Sequence, residues 1–408
     1  MASRRPEPPS FPPTGAGAVS CQRLAGNPKV LCVFGTRPEI IKLAPIIQEL
    51  RRNPASVSVR TLSSGQHTDL LEPLLELFDV WPDFDLRVMR SEQSPNEVCA
   101  RALEGMGPII RAEVPDLIVI QGDTTTALAA AMSGFHYQIP VAHVEAGLRS
   151  GDSLSPFPEE MNRRLITRLA KYHFAATAGN RAQLLEEGVP AEDIFVTGNP
   201  VVDSLHYILE NSVPSDLVGS LLQWVGGRKL MVLTTHRREN FGGTMQQNLR
   251  EIRGFVEAHE ELSLIFAVHP NPNVVQAAKT ELASHPRVHL INPLGYADFI
   301  QLVSHAWLLL SDSGGIQEEA PSLGKPLLIL RNNTERPEAI QAGTAVLVGD
   351  KPGGLAAMLD AAYGGAPWFE KAKQVRNPFG DGKAAQRISR LILTIVESKK
   401  GATCEAAR

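Results

Sequence analysis

The feature that most constrains this chain is a four-residue apolar run, Leu117 to Ile120, that stops at Gln121-Gly122-Asp123. A short β-branched run without alternation fits a strand buried on both faces, ending at the mouth of an open parallel sheet. Thr124 to Thr126 are helix-start residues, and the alanine-rich stretch to Ser133 makes a helix that packs closely on such a sheet. Pro140 to Val144 is the next strand, ending with His143, Glu145 and Arg149 gathered around Gly147. Ligands of open α/β sheets sit outside the carboxyl ends of the strands, so Asp123 and Glu145 are expected to face one crevice. Glu159 follows Pro158 in the first turn of a helix, and Arg163 at i+4 is placed to pair with it. Single acids at such places also serve as helix caps or arginine partners. Three from consecutive loops point instead to proton transfer on both faces of a substrate carbon.

Lys29 to Phe34 reads as the first strand, and Gly35-Thr36-Arg37-Pro38-Glu39 turns from it into a helix carrying Ile40, Ile41, Leu43, Ile46, Ile47 and Leu50. Pro38 suits a first helical turn, and Gly35 lets the backbone approach a ligand. A phosphate is expected at this turn, near Arg37 and Lys42. Val57 to Leu62, Tyr172 to Thr177 and Ile194 to Val196 continue the alternation up to Thr197-Gly198-Asn199-Pro200. Helical sequence from about Val202 to Leu222 leads into a second series, with strands at Leu230 to Thr234, Leu264 to Val268, Val288 to Ile291, Leu308 to Leu310 and Leu327 to Leu330. Both halves therefore read as doubly wound parallel sheets, two Rossmann-like domains facing across a cleft. The expected divisions are an extension over 1–28, domains over 29–200 and 201–383, and a last helix and tail over 384–408 that packs back on the first domain.

In the second half a strand runs into Ser311-Asp312-Ser313-Gly314-Gly315-Ile316-Gln317-Glu318-Glu319. Two glycines at a helix start leave N–H groups and a positive dipole end free for a diphosphate, with the Ser313 hydroxyl beside them. Glu319, one turn on, is placed to accept the hydroxyls of a ribose. A plain glycine turn is the common alternative, and Ser313 before and Glu319 after set this one apart. Gly15-Ala16-Gly17 follows no strand, and Leu323-Gly324-Lys325-Pro326 lacks the Ser/Thr of a P-loop. His143 and His236 beside Glu145 read as hydrogen-bonding histidines rather than metal ligands.

At 408 residues, with 43% apolar residues, 21% charged and a net charge of −4, nothing asks for nucleic acid or an anionic membrane as partner. Cys21, Cys32, Cys99 and Cys404 are too widely spaced for a disulfide framework or a zinc site, which fits a reducing cytoplasm. No apolar run approaches a membrane span. The first twenty residues combine two arginines with five prolines. A disordered extension is expected there, with a transit peptide as the alternative.

Taken together, Phe34-Gly-Thr-Arg-Pro-Glu39, Gly122-Asp-Thr-Thr-Thr126, His143-Val-Glu-Ala-Gly-Leu-Arg149, Pro158-Glu-Glu-Met-Asn-Arg163, Thr235-His-Arg-Arg-Glu239, Asp312-Ser-Gly-Gly-Ile-Gln-Glu-Glu-Ala-Pro321 and Thr334-Glu-Arg-Pro-Glu338 resemble the non-hydrolysing UDP-N-acetylglucosamine 2-epimerases, from about Lys29 to Arg390. The resemblance implies a GT-B-like fold, a homodimer, and interconversion of UDP-N-acetylglucosamine and UDP-N-acetylmannosamine with no metal and no nicotinamide cofactor. It implies loss of the C2 proton and of UDP to give a bound 2-acetamidoglucal, then re-addition with a proton on the opposite face. Matched by motif, Asp123, Glu145 and Glu159 are the acid/base candidates, Arg163 positions them, and His236 meets the leaving diphosphate. Arg37, Lys42, Ser313, Gly314, Gly315, Glu319 and Arg336 match UDP-binding positions, and Phe299 lies beside the uracil. Gln66, His67 and Arg237 match the place where some relatives bind an activating second UDP-N-acetylglucosamine. Which acid serves which face stays open. So do a hydrolysing epimerase, an epimerase of a more decorated UDP-sugar, a GT-B glycosyltransferase and a non-catalytic UDP-sugar sensor.

Overall fold

The computed structural model describes residues 26–66, 68–90, 93–235, 242–349 and 351–406. The first sheet comprises β1 (Lys29–Phe34), β2 (Ser58–Ser63), β3 (Phe84–Asp85), β4 (Leu117–Gln121), β5 (Val141–Ala146), β6 (Tyr172–Ala175) and β7 (Ile194–Val196), in the order β3-β2-β1-β4-β5-β6-β7. The second comprises β8 (Lys229–Thr234), β9 (Leu262–Ala267), β10 (Val288–Ile291), β11 (Leu308–Ser311), β12 (Leu327–Ile329) and β13 (Ala345–Leu347), in the order β10-β9-β8-β11-β12-β13. Every pairing is parallel. This is the expected pair of doubly wound sheets in a GT-B-like arrangement. Sequence patterning had not revealed β3 and β13, each three residues or fewer and too short to leave a periodic signal.

The strand order reverses beside β1 in one sheet and beside β8 in the other, and an open sheet has its crevice at such a reversal. Gly35 sits at the first one. A Cβ there would lie 2.0 Å from Ser64 Oγ and 2.5 Å from Thr126 Oγ1, so only glycine lets three segments converge. At the second, Thr234 and Ser311 share a hydroxyl hydrogen bond of 2.8 Å, and Thr235 donates to Asp312 at 2.7 Å.

The helical stretch expected from about Val202 to Leu222 is two helices, Val201–Asn211 and Asp216–Val225. Pro214 cannot donate into a helical ladder, and Ser215 caps the second helix by accepting from Val218 N at 3.3 Å. The last helix, Ala384–Ala406, begins where Asp203 accepts from Ala384 N and Ala385 N at 3.2 and 2.9 Å. It lies on the helix Arg37–Arg51, with Ser389 Oγ donating to Ile46 O at 3.3 Å, and the two share one apolar core. The chain thus crosses between the two sheets twice. The crossings touch where Asn199 N donates to Phe379 O at 2.7 Å, flanked by Gly198 and Gly380 at φ +87° and +154°. Among the described residues, no helix is long and apolar enough to cross a membrane.

Candidate active site

Strand β5 does not run straight to its end. Its register against β6 shifts between Val144 and Ala146, and the extra residue is Glu145, in the left-handed region at φ +65°. A bulge of this kind re-aims one side chain at a cost of about 1 kcal/mol for a non-glycine residue. Here it turns the Glu145 carboxylate onto Lys42, with Gln121 donating as well and Asn199 Nδ2 donating at 3.1 Å. Burial opposes the Glu145 charge, but the attraction of Lys42 and Arg336 outweighs it and holds the carboxyl below the usual range.

Asp123 stands at the end of β4, next in the sheet to β5. A Cβ on its neighbour Gly122 would be 3.8 Å from Glu145 Oε2. Arg163 Nε donates to Asp123 Oδ2 at 2.7 Å, and Asn162 Nδ2 donates to Asp123 O at 2.8 Å. The expected partner of Arg163 was Glu159. Its ion pairs run instead to Asp123 and to Glu160 at 3.1 Å, because Arg163 and Glu160 face inward while Glu159 keeps part of its surface in solvent. Glu160 is fully buried, also paired with Arg164 at 3.1 Å and bonded by Ser150 N at 3.0 Å.

The turn after β1 differs from expectation. The N–H groups of Gly35 and Thr36 both donate to Glu39, at 2.9 and 2.7 Å, and Thr124 Oγ1 donates to its other oxygen at 2.6 Å. Those amides close a capping box rather than stand free for a phosphate. Burial pushes the Glu39 carboxyl up to about 7 against these three hydrogen bonds and a fourth from the Thr36 hydroxyl. Lys42, one turn further, is buried between Glu145 and Glu318, the latter 3.1 Å from Nζ. Arg37 is exposed, and its charge reaches Glu319 and Tyr296 on the second half.

On that second half, Ser313 caps the helix Gly314–Glu319. A Cβ at Gly314 would be 2.5 Å from Arg336 Nη1, so this glycine lets the guanidinium lie over the helix start. Arg336 is bound by Glu318 at 2.7 Å and Glu335 at 2.6 Å. Gly315 faces open space apart from Ser313 Oγ at 4.0 Å. Glu319 is buried and accepts from Tyr296 Oη at 2.7 Å through one of its two oxygens. Phe299 lies one turn along the helix Tyr296–Ser304, half-buried. Gln66 accepts from Thr126 Oγ1 at 2.8 Å. His67, His236 and Arg237 lie outside the described residues. His143 makes a 2.8 Å hydrogen bond from Nε2 to Gly122 O.

Gln121, Asn199, Glu318, Glu335 and Tyr296 were not singled out from the sequence. Glu318 hid beside Glu319: neighbours on a helix point about 100° apart, and only a helix buried all round brings both into use.

Two Rossmann-like halves, with buried acids and cations meeting where both sheets reverse their strand order, make this a two-domain α/β protein with its site in the cleft between the sheets. The chain belongs to the UDP-N-acetylglucosamine 2-epimerase family, whose model matches residues 48–393. It is 44% identical over 365 residues to a UDP-N-acetylglucosamine 2-epimerase of Yersinia pestis, covering 88% of this chain and 97% of that one. The UDP-GlcNAc 2-epimerase of Neisseria meningitidis, solved bound to UDP-GlcNAc, superposes with a TM-score of 0.83 at 38% identity, covering 90% of this chain and 100% of the other. That of Methanocaldococcus jannaschii, in complex with UDP-GlcNAc and UDP, gives 0.76 at 34% identity, covering 89% and 99%.

Proposed function

We propose that this protein epimerises UDP-N-acetylglucosamine at C2 to UDP-N-acetylmannosamine, supplying an activated sugar for glycan synthesis. The observation that carries the reading is the position of Asp123 and Glu145 at the ends of adjacent strands, each tied to a buried cation, with Arg336 lying between Glu145 and the Gly314 turn. The C2 hydrogen is not α to a carbonyl. It becomes acidic only as the C1–O bond to UDP breaks, so the departing diphosphate must be stabilised as firmly as the proton is drawn. Lys42, Arg336, Ser313, Gly314 and Gly315 take the diphosphate, with His236 and Arg37 beside it. Glu319 takes the ribose, and Phe299 flanks the uracil. An acid among Asp123, Glu145 and Glu159 removes the C2 proton, and the electron pair forms the C1=C2 bond of 2-acetamidoglucal as UDP leaves. UDP then re-adds at C1 while a proton reaches C2 from the opposite face. Residues 29–200 and 201–383 form the two domains, and their closure excludes water from the glycal.

We assign the protein to the cytoplasm as a homodimer. Cys32 and Cys99 are free, in keeping with a reducing compartment, and Phe157, Met161 and Leu165 present exposed apolar surface that a second copy would cover. The test is proton NMR of the purified protein with UDP-N-acetylglucosamine in D2O, with no added metal or acceptor. The manno epimer bearing deuterium at C2 is the expected product. Accumulating free UDP and N-acetylmannosamine would make it a hydrolysing enzyme, and no exchange at all would favour another sugar, a transferase or a sensor.

A further inference from the structure

Glu145 and Glu318 come from opposite sheets and share the same two cations. Lys42 bridges both carboxylates, 3.1 Å from Glu318, and Arg336 Nε bonds Glu318 at 2.7 Å while its Nη2 is 3.8 Å from Glu145. All four are nearly fully buried. The two carboxylates also approach within hydrogen-bonding reach of each other, so their charges repel and a proton arriving there is favoured. The charged groups facing Glu318 are thus Lys42 on the helix Arg37–Arg51, Glu145 on β5, and Arg336 with Glu335 before the helix Pro337–Ala342. Glu335 is already occupied by Arg331 at 2.9 Å, and Glu319, next along the chain, by Tyr296.

Lys42 and Arg336 are also the cations assigned above to the diphosphate. A diphosphate diester brings two negative charges, so two cations would face four anionic groups in a medium that screens poorly. Glu145 is fixed in its bulge by Gln121 and Asn199 and has to stay ionised to serve as a base. Glu318, on a buried helix, leans on the two cations themselves. Resting on the UDP-sugar reading, we infer that Glu318 takes up a proton when the diphosphate binds, releasing Lys42 and Arg336 to the phosphates while Glu145 keeps its charge. Glu318 is therefore a positioning residue that acts through the two cations. Burial already pushes its carboxyl above the usual range, against the pull of Arg336 and Lys42, whereas Glu145 is held below it. An arriving anion raises the proton affinity of Glu318 further, so binding consumes a proton and weakens as pH rises.

The test is isothermal titration of the full chain with UDP-N-acetylglucosamine, in buffer pairs of different ionisation heat, from about pH 6 to about pH 9. The diphosphate diester does not titrate there and the uracil N3–H ionises only at the upper end, so below about pH 8 any proton comes to the protein. The expected result is uptake of up to about one proton, with Kd rising by up to about tenfold per pH unit through the transition. Glu318→Gln should abolish the uptake, flatten the pH dependence and bind at alkaline pH at least as tightly as the wild type. Glu39→Gln, which neutralises another raised carboxylate near the cleft, should leave the uptake in place. Tight binding without uptake by the wild type overturns the inference, a result that needs no variant. So does uptake that survives Glu318→Gln or disappears in Glu39→Gln. Absence of binding at every pH overturns the UDP-sugar reading and the inference with it, whereas binding without uptake overturns the inference alone.

Discussion

Arg163 grips Asp123 through two nitrogens on one carboxylate oxygen, Nε at 2.7 Å and Nη2 at 2.6 Å. Two bonds on one oxygen fix the orientation of the carboxylate. Asp123→Asn is expected to lower kcat by about 10²- to 10⁴-fold while UDP binding changes little. Arg163→Lys keeps the charge but loses the planar fork, and should lower kcat by about tenfold or more with KM nearly unchanged. Because the two act as a unit, the double variant should cost far less than the product of the single effects. Steady-state kinetics beside UDP calorimetry decide it, and full turnover in Asp123→Asn would remove Asp123 from the mechanism.

Gly314→Ala places a methyl group 2.5 Å from the present position of Arg336 Nη1. The guanidinium is clamped by Glu318 and Glu335 and has little room to retreat. UDP affinity should fall by at least about tenfold, roughly 1.4 kcal/mol, with Tm only slightly changed. The neighbouring Gly315→Ala meets nothing closer than 4.0 Å and serves as the control for helix-start conformation.

His143 and His173 are cross-strand neighbours on β5 and β6, both buried, each with an Nδ1 that has no hydrogen-bond partner. Burial is the main force pushing His143 down to about 3 and His173 down to about 4. Both are neutral in the fold, whereas the unfolded chain protonates them below about pH 6.5. Stability should therefore be complete above about pH 6.5 and fall as the pH drops towards 4, by up to about 1.4 kcal/mol per pH unit for each histidine. Glu39, raised to about 7, works in the opposite direction over the same range, because its folded form holds a proton that the unfolded chain has lost. The histidine contribution is thus read from the difference between the wild type and His173→Leu. Urea midpoints at neutral pH and at about pH 5 should show a shallower acid loss in the variant; parallel curves would refute the assignment.

Met161 and Leu165 lie at i and i+4 of the helix Glu159–Leu169 and are exposed on one face, 40% and 45%. Phe157, just before the helix, is 69% exposed. If a second copy covers them, Leu165→Glu should turn a dimer into a monomer in sedimentation velocity without lowering the unfolding midpoint of the isolated fold. A wild-type protein that sediments as a monomer would refute the dimer.

Much of this was legible in the residues. Strands such as Leu117–Gln121 and Leu308–Ser311 are apolar almost throughout, which is what burial on both faces requires, and the loops that end them carry polar residues that a core has no use for. What escaped depends on three dimensions. The bulge at Glu145 arises from a one-residue excess against β6, which no local pattern signals. The turn after β1 looked open to a phosphate, yet its amides are spent on Glu39, and Lys42 reaches across to the second sheet. Arg163 chose Glu160 over Glu159 because i+3 and i+4 partners are equally near on a helix, and only burial selects between them.

The contact of Asn199 with Phe379 has a mechanical consequence. Two halves joined by a single strand of chain can swing and twist freely, whereas two strands lying side by side, bonded at 2.7 Å, resist rotation about their common direction. Any opening of the cleft would be confined to one line through Gly198 and Gly380, the pair whose backbones take up angles other residues avoid. Under such a constraint the two halves keep Lys42 and Glu318 aligned across the cleft, 3.1 Å apart, and the register is held by the crossings rather than searched for by a ligand.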